Sequence, residues 1–251
     1  STWNSYDFYV SKLDASGNYL WAKKIGKTSN SAIIKNYADA AGNIYLTGSF
    51  FGTVDFDPNA GVTSLTAFGE ADIFVLKLSS DGDFIWVKQM GGIFLDGGNA
   101  IQLDESGNIF TLGYFSGTAD FLSGAGTSEL VSHGNTDIFI TKFDPAGELL
   151  WSRSVGGGNY DGAFGIDIDS DGNSFVTGYY VGTVDFDPGA GTMEIISNGG
   201  NDIFVLKLDS YGYFDWAYGI GGSANDSGQG LAVDNTGDIV ITGYYEGSVD
   251  F

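Results

Sequence analysis

A 65-residue register runs through the whole chain without insertion or deletion, and it limits what the chain can fold into more than any other feature. Trp21, Trp86, Trp151 and Trp216 lie on it, as do Asp7, Asp72, Asp137 and Asp202. Lys12, Lys77, Lys142 and Lys207 follow, then Gly48, Gly113, Gly178 and Gly243, then Asp55, Asp120, Asp185 and Asp250. A period of this length belongs to solenoids, propellers and arrays, in which each unit buries its apolar face only against a neighbour. The 251 residues therefore read as a single repeat assembly, residues 1–251, with copies at about 1–65, 66–130, 131–195 and 196–251, the last one truncated.

Within one copy the punctuation is that of β-hairpins. Asp72–Leu78 is a short run of β-formers, Ser80–Asp83 a turn, and Phe84–Lys88 a second strand. Ala100–Leu103 and Ile109–Tyr114 flank a second turn, Asp104–Asn108, where Asp caps and Gly supplies a positive φ. No segment of ten or more residues carries helical apolar spacing, so the chain is expected to be all-β. Four antiparallel strands per copy fit the blades of a β-propeller, with a β-solenoid as the structural alternative. The residues beyond an ordinary blade fall around Val54–Pro58 and its counterparts, as a short fifth strand or an ordered connection.

Composition excludes several function classes. Ten Lys and Arg against 32 Asp and Glu give a net charge of −22, which opposes phosphate backbones and anionic membranes, so nucleic acid is not an expected partner. No apolar run approaches the ~18 residues of a membrane helix, so membrane insertion is not expected. The chain has no Cys, and His133 is its one His, which removes thiolate metal sites, Cys nucleophiles and paired-His ligands.

The repeat resembles the tandem bacterial β-propeller repeat named for seven-bladed propellers, found in secreted and cell-surface proteins of Bacteroidetes. The resemblance rests on Asp137–Phe143 and its equivalents, on the Asp-x-x-Gly-Asn turns, and on the run from Thr177 to Gly191. It implies a propeller in an extracellular or cell-surface setting, adjoining further repeats or domains of a longer chain, and no shared reaction. Phe251 falls inside a motif that continues through Asp57-Pro58 and Asp187-Pro188 elsewhere. Two readings follow: a piece of a longer array, or a four-bladed ring with Ser1 and Phe251 near one seam and Trp3 latching it.

Candidate sites have architectural rivals. The Trp series offers stacking faces for sugars, or packing between blades. Asp55 and Asp57, with Asp185 and Asp187, pair carboxylates in loops rich in carbonyls, the hard-oxygen chemistry of Ca²⁺; the same acids can instead cap turns. Leu122 and Ser123 replace the second acid and Pro in copy two. Asp167–Asn173 matches the first half of an EF-hand loop but has Gly178 where the bidentate Glu belongs, so a hairpin turn is expected. Asp96, Asp161 and Asp226 are expected to tie a Gly-rich loop to neighbouring backbone, with the repeated Lys as pairing candidates. Acid–base catalysis needs an asymmetric pair, which repeated carboxylates do not supply. His133, Arg153, Met90, Met193 and Phe94-Leu95 break the symmetry and form no recognisable constellation. The expected function is a non-catalytic extracellular scaffold or adhesion module making multivalent protein or glycan contacts. A calcium-stabilised array is the second reading and a propeller enzyme the third.

Overall fold

The computed structural model describes residues 8–26 and 31–250, with the side chains of 31–34 and 250 excepted; Trp3, Asp7 and Phe251 lie outside them. The first copy contains β1 (Phe8–Leu13), β2 (Tyr19–Ile25), β3 (Ser31–Ala38), β4 (Ile44–Phe50), β5 (Thr53–Asp55) and β6 (Ser64–Thr66). The second contains β7 (Asp72–Leu78), β8 (Phe84–Gly92), β9 (Gly97–Leu103), β10 (Ile109–Phe115), β11 (Thr118–Asp120) and β12 (Glu129–Val131). The third contains β13 (Asp137–Phe143), β14 (Leu149–Gly157), β15 (Gly162–Ile168), β16 (Ser174–Tyr180), β17 (Thr183–Asp185) and β18 (Glu194–Ile196). The fourth contains β19 (Asp202–Leu208), β20 (Phe214–Gly222), β21 (Ser227–Val233), β22 (Ile239–Tyr244) and β23 (Val249–Asp250).

The fold is an all-β propeller of radial antiparallel blades, as the hairpin punctuation predicts. Each copy supplies four main strands, but those four do not share a sheet. The blades are β3-β4-β7-β8, β9-β10-β13-β14 and β15-β16-β19-β20, so each takes its inner hairpin from one copy and its outer hairpin from the next. The surplus sequence is a small hairpin: β11-β12 extends β8, β17-β18 extends β14, and β23 pairs with β20. Two half-blades remain, the outer hairpin β1-β2 and the inner hairpin β21-β22.

Position in the blade explains the sequence pattern of each strand. β7 and β10 are central strands, flanked on both faces by neighbouring blades, and are buried at every position but one; hence their unbroken apolar runs. The innermost strands β3, β9, β15 and β21 pack side by side in order. The apolar core is divided among the blade interfaces, in three clusters centred on Phe74, Phe139 and Phe204. The Phe of each Asp-Phe motif plugs one interface. Phe56, Phe121 and Phe186 are fully buried and lie 5.0, 5.1 and 5.2 Å from Phe74, Phe139 and Phe204. Each also meets an aromatic ring edge-on, Phe50, Phe115 or Tyr180, at 5.3, 5.5 and 5.4 Å.

Candidate functional site

The Trp series packs between blades. The indole of Trp21 lies against Gly82 in the next outer hairpin turn, Trp86 against Gly147, and Trp151 against Gly212. Each of those glycines has a positive φ, so the turn needs Gly for its backbone and leaves a flat seat for the ring. Trp21 and Trp151 also donate Nε1–H to the carbonyls of Ser80 and Ser210, both at 3.3 Å. The lysines use the same turns: Lys12 donates to Ser80 O at 2.7 Å, Lys77 to Pro145 O at 3.2 Å, and Lys142 to Ser210 O at 3.3 Å. They do not pair with the Asp96 series, because that series is buried at the opposite end of the strand. Lys142 also meets Asp104 at 3.4 Å, and Lys207 pairs with Asp215 at 2.9 Å.

The Asp96 series ties loops to backbone as the sequence indicates. Asp96 accepts from Gly92 N at 2.7 Å and Ser116 N at 2.9 Å. Asp161 does the same for Gly157 and Val181, and Asp226 for Gly222 and Glu246. Sequence reasoning missed the partner carboxylate. Asp72, Asp137 and Asp202 are buried beside these acids, and the Oδ1 of each has no hydrogen-bond partner. Burial pushes Asp96 and Asp161 up to about 6 against the hydrogen bonds they accept, with the nearby Asp72 and Asp137 charges adding to the rise. Asp72, Asp137 and Asp202 are raised for the same first cause. The signal for this pairing was an Asp heading an apolar strand, level with a Gly-Gly step on the strand beside it.

In their loops Asp55, Asp57, Asp185 and Asp187 each accept backbone N–H groups through one carboxylate oxygen. Asp55 Oδ1 accepts from Asp57 N and Thr63 N at 3.2 and 2.9 Å, and Asp57 Oδ1 from Asn59 N at 2.8 Å. Asp185 Oδ1 accepts from Asp187 N and Met193 N at 3.1 and 2.7 Å, and Asp187 Oδ1 from Gly189 N at 2.8 Å. Among the described residues no group of three or more His, Cys, Asp or Glu is gathered as for a metal. The EF-hand-like stretch is a hairpin turn: Asp169 Oδ1 accepts from Asp171 N and Asn173 N, at 3.0 and 2.9 Å.

One loop breaks the repeat in chemistry rather than in shape. Between β8 and β9, Ile93, Phe94 and Leu95 are exposed at 66, 47 and 38%. Gly158-Asn159-Tyr160 and Ser223-Ala224-Asn225 stand at the same places in the other copies. Phe68, 62% exposed, borders the loop where Gly69 lies against the Ile93 backbone. Leu95 bridges to Ala71, and Phe94 covers Gly117, so the loop is pinned to its blade. Phe94-Leu95 stands out in the sequence as a break in symmetry; its exposure is what the fold adds.

No family model matches the chain. It is similar to an uncharacterized WD repeat-containing protein of Acanthamoeba polyphaga mimivirus, at 28% identity over 260 residues, covering 90% of this chain and 19% of the relative. It is also similar to the regulatory protein FlaEY of Caulobacter vibrioides, at 25% identity over 165 residues, covering 64% of this chain and 17% of that one. The chain thus spans less than a fifth of either relative. A solved structure of a protein of unknown function from Bacteroides caccae matches at a TM-score of 0.27 and 10% identity, over 81% of this chain and 86% of that one, a likeness that adds nothing to the assignment. Together with the blades, the mimiviral relative supports a repeat propeller scaffold.

Proposed function

We propose that the chain is a non-catalytic propeller scaffold that binds a protein partner through the apolar loop Ile93–Leu95 and the adjoining Phe68. The observation carrying this reading is the exposure of that patch in one blade alone among the described residues, while the repeated Trp, Lys and Phe pack blade against blade and the repeated Asp tie loops and turns. An exposed apolar cluster on a pinned loop loses little conformational freedom on binding and gains from leaving water. The WD repeat wording of the mimiviral relative is in keeping with a propeller. An extracellular or cell-surface setting, and membership of the bacterial repeat family the motifs resemble, belong to the same proposal.

The test is a peptide-display selection against the wild-type chain and an Ile93→Asp, Phe94→Ser double variant. Peptides enriched on the wild type and lost on a variant that melts at the same temperature support the proposal. An unchanged set of binders overturns it. So does glycan-array binding that survives the double variant and is lost on replacing an exposed aromatic elsewhere.

A further inference from the structure

Along the repeat, the charge balance around the Asp-Phe-Asp loop changes from copy to copy. The outer strands β2, β8 and β14 hold Lys24, Gln89 and Ser154 at one register, opposite Tyr9, Phe74 and Phe139. In copy one Lys24 accompanies two acids, Asp55 and Asp57. In copy two Gln89 accompanies one, since Leu122 replaces the second acid, and its amide turns inward to donate to Asp72 Oδ2 and Thr66 O. In copy three both acids are present, as Asp185 and Asp187, but Ser154 stands where copy one has its lysine. The acids are kept and the cation is gone.

That exchange leaves space. A pocket of about 320 Å³ opens between His133, Ser154, Asp185 and Asp187. Asp185 and Asp187 give Oδ1 to backbone N–H groups, and Oδ2 of each lies outside those bonds. The His133 side chain is 75% exposed, and its Nδ1 lies 3.3 Å from Asp137 Oδ2, which also accepts from His133 N at 2.9 Å. With Nδ1–H given to that carboxyl, Nε2 offers a lone pair as an acceptor. The Asp137 carboxyl itself is fully buried over Gly156, another residue of the pocket wall, and its Oδ1 has no hydrogen-bond partner. The neighbouring cation does not serve the pocket, because Arg153 donates to the carbonyls of Tyr211 and Gly212.

We propose that this pocket binds the guanidinium of an arginine side chain carried by a partner protein. Two carboxylates two residues apart and an imidazole nitrogen present several acceptors, which suit the planar fork of five donors better than the compact ammonium of lysine. A bare metal ion fits less well, since among the described residues no group of three or more His, Cys, Asp or Glu is gathered closely enough to hold one. The net charge of −22 draws a basic partner toward the chain. Phe68, which borders the Ile93–Leu95 loop, stands one repeat before His133, so the pocket and the apolar loop open on the same face of the propeller. The pocket stands on its own residues and does not depend on that loop.

The test is an NMR titration of the full chain with N-acetyl-arginine amide, following backbone amide shifts. Saturable shifts gathered on His133, Ser154, Gly156 and Gly189 are expected. Ser154→Lys, which restores the cation of copy one, and Asp187→Asn, which keeps the acceptor for Gly189 N, are each expected to weaken binding about tenfold. Should the lysine variant fail to fold, the asparagine variant decides. The same titration with N-acetyl-lysine amide is expected to be weaker, and equal binding would overturn the assignment to a guanidinium. Shifts spread over exposed acidic turns such as those of Asp14 and Asp234, and unmoved by either substitution, would overturn the site. The probe is too small to engage the apolar loop, so its failure to bind would strike this proposal and leave the reading of Ile93–Leu95 standing.

Discussion

Asp72 and Asp96 place two fully buried carboxylates beside the same glycine. A Cβ built on Gly91 would stand 2.9 Å from Asp72 Oδ1 and 3.0 Å from Asp96 Oδ2, and neither acid is in an ion pair among the described residues. Buried charge without a counter-charge is costly, and Asp72 Oδ1 has no donor to offset the cost. Asp72→Asn keeps the acceptor used by Gln89 and Phe68 and turns an N–H toward Asp96. It is expected to raise stability at pH 7 by about 1–2 kcal/mol, measured by urea denaturation. A loss of stability instead would show that the negative charge itself is required.

Stability should fall as pH rises from about 4 to about 6. Asp96 and Asp161, raised to about 6, hold protons in the folded chain over a range where the unfolded chain has released them. Their contribution is fully present below the unfolded value, is lost as pH rises to the folded one, and is level above it. Asp14 and Asp234 work the other way: hydrogen bonds from Asn18 and Thr236 hold them low, so their contribution is lost only in stronger acid. The melting temperature at pH 5 is expected to exceed that at pH 7, and Asp72→Asn should flatten the difference. A profile rising from pH 5 to pH 7 would contradict the assignment.

The inter-blade role of the Trp series separates Trp151 from Trp216. Trp151 packs on Gly212 and donates to Ser210, whereas among the described residues Trp216 meets no turn glycine and has the rings of Phe175 and Tyr218 beside it. Trp151→Ala is expected to cost about 3 kcal/mol, the lower end for a large core truncation because the ring is partly rather than fully buried. Trp216→Ala should cost about a third of that. Equal losses in chemical denaturation would refute inter-blade packing as the source.

At the Asp55 and Asp185 loops, one oxygen of each carboxylate accepts from backbone N–H groups. Removing calcium with a chelator is expected to leave the melting temperature unchanged. Asp185→Ala, by contrast, should cost about 1–2 kcal/mol through the acceptor lost to Asp187 N and Met193 N. A melt that drops in chelator and recovers with calcium would place an ion there.

The hairpins, their turns and the all-β class were legible in the sequence because each rests on local chemistry: apolar runs, capping Asp, and Gly at positive φ. Which hairpins share a sheet was not, since β4 pairs with β7 across a copy boundary that sequence periodicity leaves undefined. A repeat has a period but no intrinsic starting point. For the same reason the Asp96 series could be read as a loop tie, while Asp72 opposite it could not be read as its buried neighbour. The lysines were legible as structural and misread in their partner, because the turn they bind belongs to the next copy. Phe94-Leu95 could be singled out by its departure from the other copies, but its exposure depends on which face the loop presents.

The shift of sheets relative to copies has a bearing on how such a chain can lengthen. A blade stitched from two successive repeats means that duplicating any 65-residue stretch, wherever the cut falls, adds one whole blade and leaves every junction of a kind already present. Unequal recombination between copies would then change blade number without requiring a new interface to evolve.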